Sequence, residues 1–183
     1  TDAGTYTVYY QVTKANYTAV SGSETITINK KDVTVSGITA DSKTYDRSTS
    51  ATINTSGASF AGLLSGDTLT VSATGTFDDM NVGAGKTVTI GNLAIGGTSA
   101  RNYKLAENGQ QAATTADITA KALTVTAEAK TKVYGTNDPE LTYIQDGLIS
   151  DDSFTGALTR AEGSDVGTYA IAQGTSTAGD NYA

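Results

Sequence analysis

The same short phrases occur in the same order at two places in this 183-residue chain. The phrase KTYD at 43–46 returns as KVYG at 132–135, and GLLSGDTLT at 62–70 returns as GLISDDSFT at 147–155. The separations are 89 residues for the first pair and 85 for the second. A period of this length corresponds to a whole domain and exceeds the unit of a solenoid, so the sequence predicts a row of similar domains.

Further repeated phrases indicate the domain boundaries. DAGTY at 2–6 returns as DVGTY at 165–169, and ITINK at 26–30 returns as ITAK at 118–121. The phrases define three segments: the C-terminal strands of a preceding module at 1–30, a complete module at 31–121, and a module at 122–183 that is truncated before its last strand. We therefore expect the chain to be an excerpt of a longer array that is cut inside two modules.

Apolar residues alternate with threonine over most of the chain. Tyr6, Val8, Tyr10 and Val12 share one face of a strand in this pattern, and comparable runs occur around 26–35, 69–73, 88–90 and 123–127. A period of two with β-branched residues is typical of half-buried antiparallel strands. The predicted fold is all-β, made of tandem elongated β-sandwich-like modules, mostly antiparallel, with little or no helix.

Composition excludes several classes of function. The chain has no histidine and no cysteine, so the usual general base and all thiol chemistry are missing. Its net charge of −7 disfavours binding to nucleic acid and to anionic membrane surfaces. The longest apolar runs are far shorter than a transmembrane helix requires. We therefore expect neither nucleic acid nor membrane as a partner.

The order of these phrases resembles two related families of bacterial surface-protein repeats. Residues 31–121 are similar to the YDG domain through KTYDRSTSATI and GLLSGDTLTVSATGTFDDMNVGAGKTVTI, although the name-giving tripeptide reads Tyr45-Asp46-Arg47 here. Residues 122–183 are similar to the MBG domain through LTVTAEAKTKVYGTNDPELTY, GLISDDSF and DVGTYAI, and residues 1–30 resemble the end of another MBG domain.

This resemblance implies a role without catalysis. It points to a structural stalk segment of a filamentous haemagglutinin-like bacterial adhesin, secreted or held at the cell surface, that projects a binding region of the same polypeptide. An alternative is that the modules themselves bind a host glycan or protein. A remoter alternative is an accessory domain of a carbohydrate-active enzyme. The sequence leaves the ligand, the host and the anchor open.

Tyrosines and glycines at matching places of the repeats are interpreted as structural anchors. A tyrosine ring in a core with its hydroxyl on a polar partner suits such a role, and a glycine suits a turn or bulge. The expectation is strongest for Tyr45 and Tyr134, which should both be buried. The full set is Tyr45, Tyr134, Tyr17, Tyr103, Tyr182, Tyr6, Tyr169, Gly83 and Gly167.

Two acidic pairs, Asp78–Asp79 and Asp151–Asp152, stand beside turn residues. Their carboxylates could bind Ca²⁺, but the spacing of an EF-hand loop is missing and neighbouring strand residues point to opposite faces. We interpret them as solvated turn residues and expect no cofactor. A Lys–Asn isopeptide cross-link, which needs a buried lysine, asparagine and acid in contact, is a further possibility that the sequence leaves open.

The expected partners are neighbouring repeats of the same polypeptide. Residues 1–30 match the piece that the module at 122–183 is expected to lack. Residues 1–30 of one molecule could therefore complete the last module of the next by β-strand addition, head to tail. The alternative is that residues 1–30 fold back as a hairpin on their own chain.

Overall fold

The computed structural model describes residues 1 to 183 and consists of strands, turns and one short 3₁₀ helix at Ala100–Asn102. The all-β prediction, mostly antiparallel with little or no helix, is confirmed. No helix is long and apolar enough to cross a membrane. The strands are β1 Gly4–Val12, β2 Val20–Ile28, β3 Lys31–Ser36, β4 Thr39–Ala40, β5 Lys43–Thr44, β6 Ser50–Ala51, β7 Ile53–Asn54, β8 Ser59–Ala61, β9 Thr70–Phe77, β10 Gly83–Gly96, β11 Tyr103–Leu105, β12 Ala113–Thr119, β13 Thr124–Ala127, β14 Tyr143–Asp146, β15 Thr159–Arg160 and β16 Ile171–Ala172.

The largest sheet has five strands in the order β5-β12-β10-β9-β6. Strand β5 pairs with β12 in parallel, with Lys43 opposite Ile118 and Thr44 opposite Thr119. Alternate residues of β10 and β12 point inward, and Val88 and Ile118 are fully buried. The period of two in the sequence therefore becomes one buried and one solvated face, as expected for a sheet covered on one side.

A second sheet has the order β11-β3-β8, with β11 parallel and β8 antiparallel to β3. It carries a hydrophobic core in which Val33, Leu69 and Tyr103 are buried, and Phe60 and Ile95 pack against them. Burial of one such aliphatic side chain stabilises a fold by about 1.5–3 kcal/mol. Because the chain has no cysteine, cores of this kind must hold the domain without disulfides.

Strands β1 and β2 form an antiparallel hairpin, with Gly4 opposite Ile28 and Val12 opposite Val20. One face of this hairpin is apolar, yet Val8 in its centre is 55% exposed. Ile26 on β2 is also 55% exposed, whereas its counterpart in the repeat, Ile118, is fully buried in the five-stranded sheet. The β1–β2 hairpin therefore has an apolar face that no layer covers, and the choice between head-to-tail exchange and folding back on the same chain stays a prediction.

The chain divides into two compact units, each with buried residues of its own. The first unit contains the core around Val33 and Tyr103, and the second contains the buried Tyr45, Phe77 and Ile118. Each unit collects distant parts of the chain. The first is Thr1–Asp41, Ala51–Thr76 and Thr87–Thr115, and the second is Ser42–Ser50, Phe77–Lys86 and Ala116–Ala183.

The C-terminal part of the second unit has short strands. Strands β13 and β14 pair antiparallel, as do β15 and β16, and each pair forms a two-stranded sheet of its own. The rings of Tyr143 and Phe154 pack edge to face with centroids 4.8 Å apart. This region leaves large apolar side chains at the surface, among them Val133, Ile144 and Val166.

Candidate functional site: repeated tyrosine–aspartate junctions

In the second unit, Asp152 receives hydrogen bonds from two tyrosines that come from distant parts of the chain. Tyr182 Oη donates to Asp152 Oδ2 over 2.6 Å, and Tyr45 Oη donates to the same oxygen over 3.0 Å. The two rings meet edge to face with centroids 5.6 Å apart. Arg47 Nε lies 3.3 Å from Asp152 Oδ1, so both carboxylate oxygens have partners. We call these four residues the Asp152 junction.

Local structure places each member of the Asp152 junction. Tyr45 directly follows β5, and its backbone N–H donates to the carbonyl oxygen of Thr119 on β12 over 2.8 Å. Tyr182 is held by a parallel bridge to Lys121, and its Oη also accepts from the N–H of Ile149 over 3.1 Å. The N–H of Asp152 donates to the carbonyl oxygen of Ile149 over 3.1 Å and closes a turn. The junction thus links the β5–β12 edge to the GLISDD turn.

The hydrogen bonds of the junction shift its ionisation equilibria. The pKa of Asp152 is lowered, first by the hydrogen bond from Tyr182 and further by Tyr45 and the positive charge of Arg47. The pKa values of Tyr45 and Tyr182 are raised, first because burial disfavours the phenolate and then because each hydroxyl donates to Asp152. The junction is therefore most stable with an ionised aspartate and two neutral phenols.

Arg47 occupies a backbone conformation that favours glycine. Its φ of 61° lies in the left-handed region, which costs most residues about 1–2 kcal/mol. This position is the third of the Tyr-Asp-Gly tripeptide from which the resembling family takes its name. Here the arginine side chain reaches both Asp151, at 3.0 Å, and Asp152. An arginine at this position therefore lacks the conformational freedom of glycine but forms two ion pairs.

A second junction of the same design occurs in the first unit. Tyr103 Oη donates to Asp67 Oδ2 over 2.5 Å and accepts from the N–H of Leu64 over 3.2 Å. The repeat pairs Asp67 with Asp152, Tyr103 with Tyr182, and Leu64 with Ile149, so the two sets of bonds are equivalent. The hydrogen bond to Asp67 is the main reason that the pKa of Tyr103 is raised, and burial adds to it.

The asparagine before each of these tyrosines makes a repeated contact as well. Asn102 Oδ1 accepts from the N–H of Ala3 over 2.7 Å, and Asn181 Oδ1 accepts from the N–H of Val82 over 2.9 Å. The side-chain amide nitrogens donate to the residues that precede Ala3 and Val82: Asn102 donates to Asp2, and Asn181 donates to Asn81. Each Asn-Tyr pair therefore binds the segment that opens an earlier strand.

The D-x-G-T-Y phrases make the same hydrogen bond at both ends of the chain. Tyr6 Oη donates to the carbonyl oxygen of Asp2 over 2.7 Å, and Tyr169 Oη donates to that of Asp165 over 2.9 Å. The ring lies over the glycine, since a Cβ at Gly167 would stand 3.9 Å from the Tyr169 ring. This hydrogen bond accounts for the tyrosine four residues after the aspartate in both phrases.

The other predicted anchors are placed differently. Tyr45 and Tyr103 are buried at 3% and 2% exposure, whereas Tyr134 and Tyr17 are 69% and 71% exposed. The expectation that Tyr134 is buried like Tyr45 is therefore wrong. The physical reason is local: Tyr45 has strand β12 beside it, and no strand lies in the corresponding place beside Tyr134. The anchoring roles themselves remain predictions.

Of the predicted glycines, Gly83 begins β10, and Gly167 lies in a bend two residues before Tyr169. Neither has a positive φ. In this stretch the left-handed conformation occurs at Gly85, with a φ of 62°. Gly85 also donates its N–H to Asp117 over 2.7 Å, which ties β10 to β12.

The acidic pairs that could bind calcium have basic partners. Lys86 Nζ lies 3.2 Å from Asp78 and 2.8 Å from Asp79, and Arg47 pairs with both Asp151 and Asp152. No group of three or more acidic side chains is arranged to hold a metal ion. The half-buried Lys43 donates to Asp46 and Ser48 and not to an asparagine. Binding of calcium and formation of an isopeptide bond remain untested.

These observations define a protein of repeated β domains that contain equivalent Asp–Tyr hydrogen bonds, in which Asn102 and Asn181 bind equivalent earlier parts of the chain. Residues 29–114 match the YDG domain family, and residues 123–183 match the MBG domain family of the YGX type. The chain therefore carries a YDG domain followed by an MBG domain, as the sequence resemblance indicated. Both families are non-enzymatic. Searches of curated proteins and of solved structures gave no match.

Sequence reasoning missed the acceptors of the junctions. It singled out Tyr103 and Tyr182 but neither Asp67 nor the asparagines before the two tyrosines. A signal was present, because aspartate and Asn-Tyr stand at equivalent positions in both repeats. A polar residue that returns with a buried tyrosine is a candidate for its hydrogen-bond partner.

Proposed function

We propose that this chain is a non-catalytic structural segment of a bacterial surface adhesin, a stalk of tandem β domains that projects a binding region elsewhere on the polypeptide. The observation that carries this proposal is the recurrence of one contact with an earlier part of the chain, from Ala3 to Asn102 and from Val82 to Asn181. A stalk needs the same connection at each step, whereas a single binding site does not. The presence of the YDG and MBG domains supports the proposal.

The Asp152 junction suits a load-bearing role. It joins Tyr45 and Arg47, which belong to the YDG match, with Asp152 and Tyr182 of the MBG match. Charge-assisted hydrogen bonds from two phenols and a guanidinium are stronger than bonds between neutral groups. The partners in this proposal are neighbouring repeats, the location is the outside of the bacterial cell, and no cofactor is needed.

Single-molecule pulling on the full chain, held at its two ends, tests the stalk. We expect discrete unfolding events that release roughly 300 Å of chain from the YDG domain and roughly 200 Å from the MBG domain, at about 3.6 Å per residue. Arg47→Ala should lower the force of at least one event. Arg101→Ala is the matched control, because Arg101 makes an exposed ion pair with Asp2. Smooth extension without discrete events would contradict the stalk.

A second candidate is direct binding of a glycan or protein by these domains. It is favoured by Tyr9 and Tyr17, which are 80% and 71% exposed on the β1–β2 hairpin and could stack on sugar rings. Screening on a glycan array separates the two candidates. A saturable signal that is lost in the Tyr9→Ala and Tyr17→Ala variants would establish binding and reject a purely mechanical role.

A further inference from the structure

The MBG domain contains a cleft of about 1400 Å³. One of its sides is formed by Thr131, Lys132 and Tyr134, and another by Gly167, Thr168 and Ile171. Apolar side chains contribute to its lining, among them Leu141 and Leu158. The backbone around Tyr134 is not part of a strand, and Ile171 belongs to the short strand β16.

Both sides of the cleft have equivalent segments in the YDG domain, and a strand lies between those segments there. Lys132–Tyr134 corresponds to Lys43–Tyr45, and Asp165–Gly167 corresponds to Asn81–Gly83 at the start of β10. In the YDG domain strand β12 runs between β5 and β10. Its Ile118 is 1% exposed, and its Thr119 accepts the N–H of Tyr45. The cleft of the MBG domain therefore stands where the YDG domain has a strand.

We propose that this cleft is an acceptor groove for one extended β strand of the Ile-Thr-x-x-Lys type. ITINK at 26–30 is such a segment, and strand β12 with the residues after it carries a form that is shorter by one residue, ITAK at 118–121. No such segment occurs in residues 123–183. The occupant would pair its backbone with the Lys132–Tyr134 edge and direct its alternate apolar side chains into the cleft, which is recognition by β-strand addition.

The groove takes a single strand and not a hairpin. The phrase DAGTY of β1 already has a counterpart inside the MBG domain, DVGTY at 165–169, and this counterpart forms one side of the cleft. Only the ITINK segment has none. Exchange of the whole of residues 1–30 between molecules would require β1 to displace DVGTY at 165–169, which is already in place. Only the ITINK strand can therefore enter the cleft.

The equivalence also predicts the register. Ile118 lies opposite Lys43 and Thr119 opposite Thr44 in a parallel pair. The isoleucine of the incoming strand should therefore lie opposite Lys132 and its threonine opposite Val133. The carbonyl oxygen of that threonine should accept the N–H of Tyr134. The Tyr134 ring, which is 69% exposed, should then become buried as Tyr45 is.

The experiment uses the full chain and a fluorescently labelled peptide of residues 20–31, VSGSETITINKK. We expect saturable binding by fluorescence anisotropy, and slowed hydrogen exchange at the amide of Tyr134 in the complex. The matched control is the same peptide with Ile26→Asp and Ile28→Asp, which should bind at least 10-fold more weakly because both side chains would enter the cleft. Tyr134→Ala in the protein should weaken binding of the unmodified peptide, and Tyr9→Ala should not.

Absence of saturable binding, or equal binding of the two peptides, would overturn the proposal. So would protection that appears on the β1–β2 hairpin and not at Tyr134. Binding of glycans in the cleft in preference to the peptide would also overturn it. These outcomes are independent of the stalk function, because the pulling experiment uses the chain without peptide.

Discussion

Arg47 pairs with Asp152 at 3.3 Å although residue 47 has the φ of 61° that glycine adopts most easily. The arginine thus keeps a strained backbone and gains a contact that glycine cannot make. The ion pair is partly exposed to solvent, with a third of the arginine side chain accessible, so it adds only up to about 1 kcal/mol. Strain and ion pair are of similar size and nearly cancel.

Substitution of Arg47 separates these two effects. Arg47→Ala loses the ion pair and keeps the strain, whereas Arg47→Gly loses the ion pair and relieves the strain. We expect the glycine variant to be more stable than the alanine variant by about 1 kcal/mol. Urea denaturation measures the difference. Arg101 lies in the 3₁₀ helix and has no positive φ, so Arg101→Gly should be no more stable than Arg101→Ala. Equal stabilities at position 47 would disprove the strain.

Tyr45 and Tyr134 should respond differently to truncation, although they occupy matching places in the repeat. Tyr45→Ala removes a buried ring and should lower the free energy of unfolding by on the order of 3 kcal/mol. Tyr134→Ala removes a ring that is mostly in solvent and should cost less than about 0.5 kcal/mol. Thermal unfolding followed by circular dichroism gives both values. A large effect at Tyr134 would show that this ring is covered in solution.

The hydroxyls of the junction tyrosines can be removed without changing the cores. Tyr103→Phe leaves Asp67 and the N–H of Leu64 without this partner, and we expect a cost of about 1–2 kcal/mol. Tyr182→Phe should behave alike, because its hydroxyl has equivalent partners. Tyr9→Phe on the hairpin is the control, since its ring is exposed. If all three variants unfolded at the same urea concentration as the parent chain, the junctions would contribute nothing.

The Asp152 junction should make stability depend on pH at both extremes. Because folding lowers the pKa of Asp152, its contribution is present above the unfolded value of about 3.9 and is lost as pH falls towards and through the folded pKa. Because folding raises the pKa values of Tyr45 and Tyr182, their contribution is present below about 10 and is lost at higher pH.

Asp152→Asn should therefore be less stable than the parent chain at pH 7 and should lose less stability between pH 5 and pH 2. Asp151→Asn is the matched control, because the Asp151 side chain is 82% exposed and makes only the ion pair with Arg47. Melting temperatures across this pH range give the comparison. If the melting temperature falls equally steeply with decreasing pH in Asp152→Asn and in the parent chain, the pH dependence arises from other carboxylates, such as Asp138 or Asp79.

The repeated phrases predict the number and the kind of most of the domains. The period of two in β1, β9 and β10 predicts strands because it separates an apolar from a polar face. The paired phrases around Tyr45 and Tyr134 indicate two related domains. The phrases could not reveal the partner of a side chain, because hydrogen bonds such as Tyr45 to Asp152 join residues 107 positions apart. Nor could they reveal that Tyr134 lacks the neighbouring strand that covers Tyr45.

The sequence by itself determined the all-β class, the repeat and several of the strands, because alternation and turn residues act over short distances along the chain. Only the tertiary structure decided which copy of a repeated residue is buried. Ile118 is buried in the five-stranded sheet, whereas its counterpart Ile26 is 55% exposed on a hairpin without a covering layer. Burial depends on neighbours that are distant in sequence, so identical phrases acquire different environments.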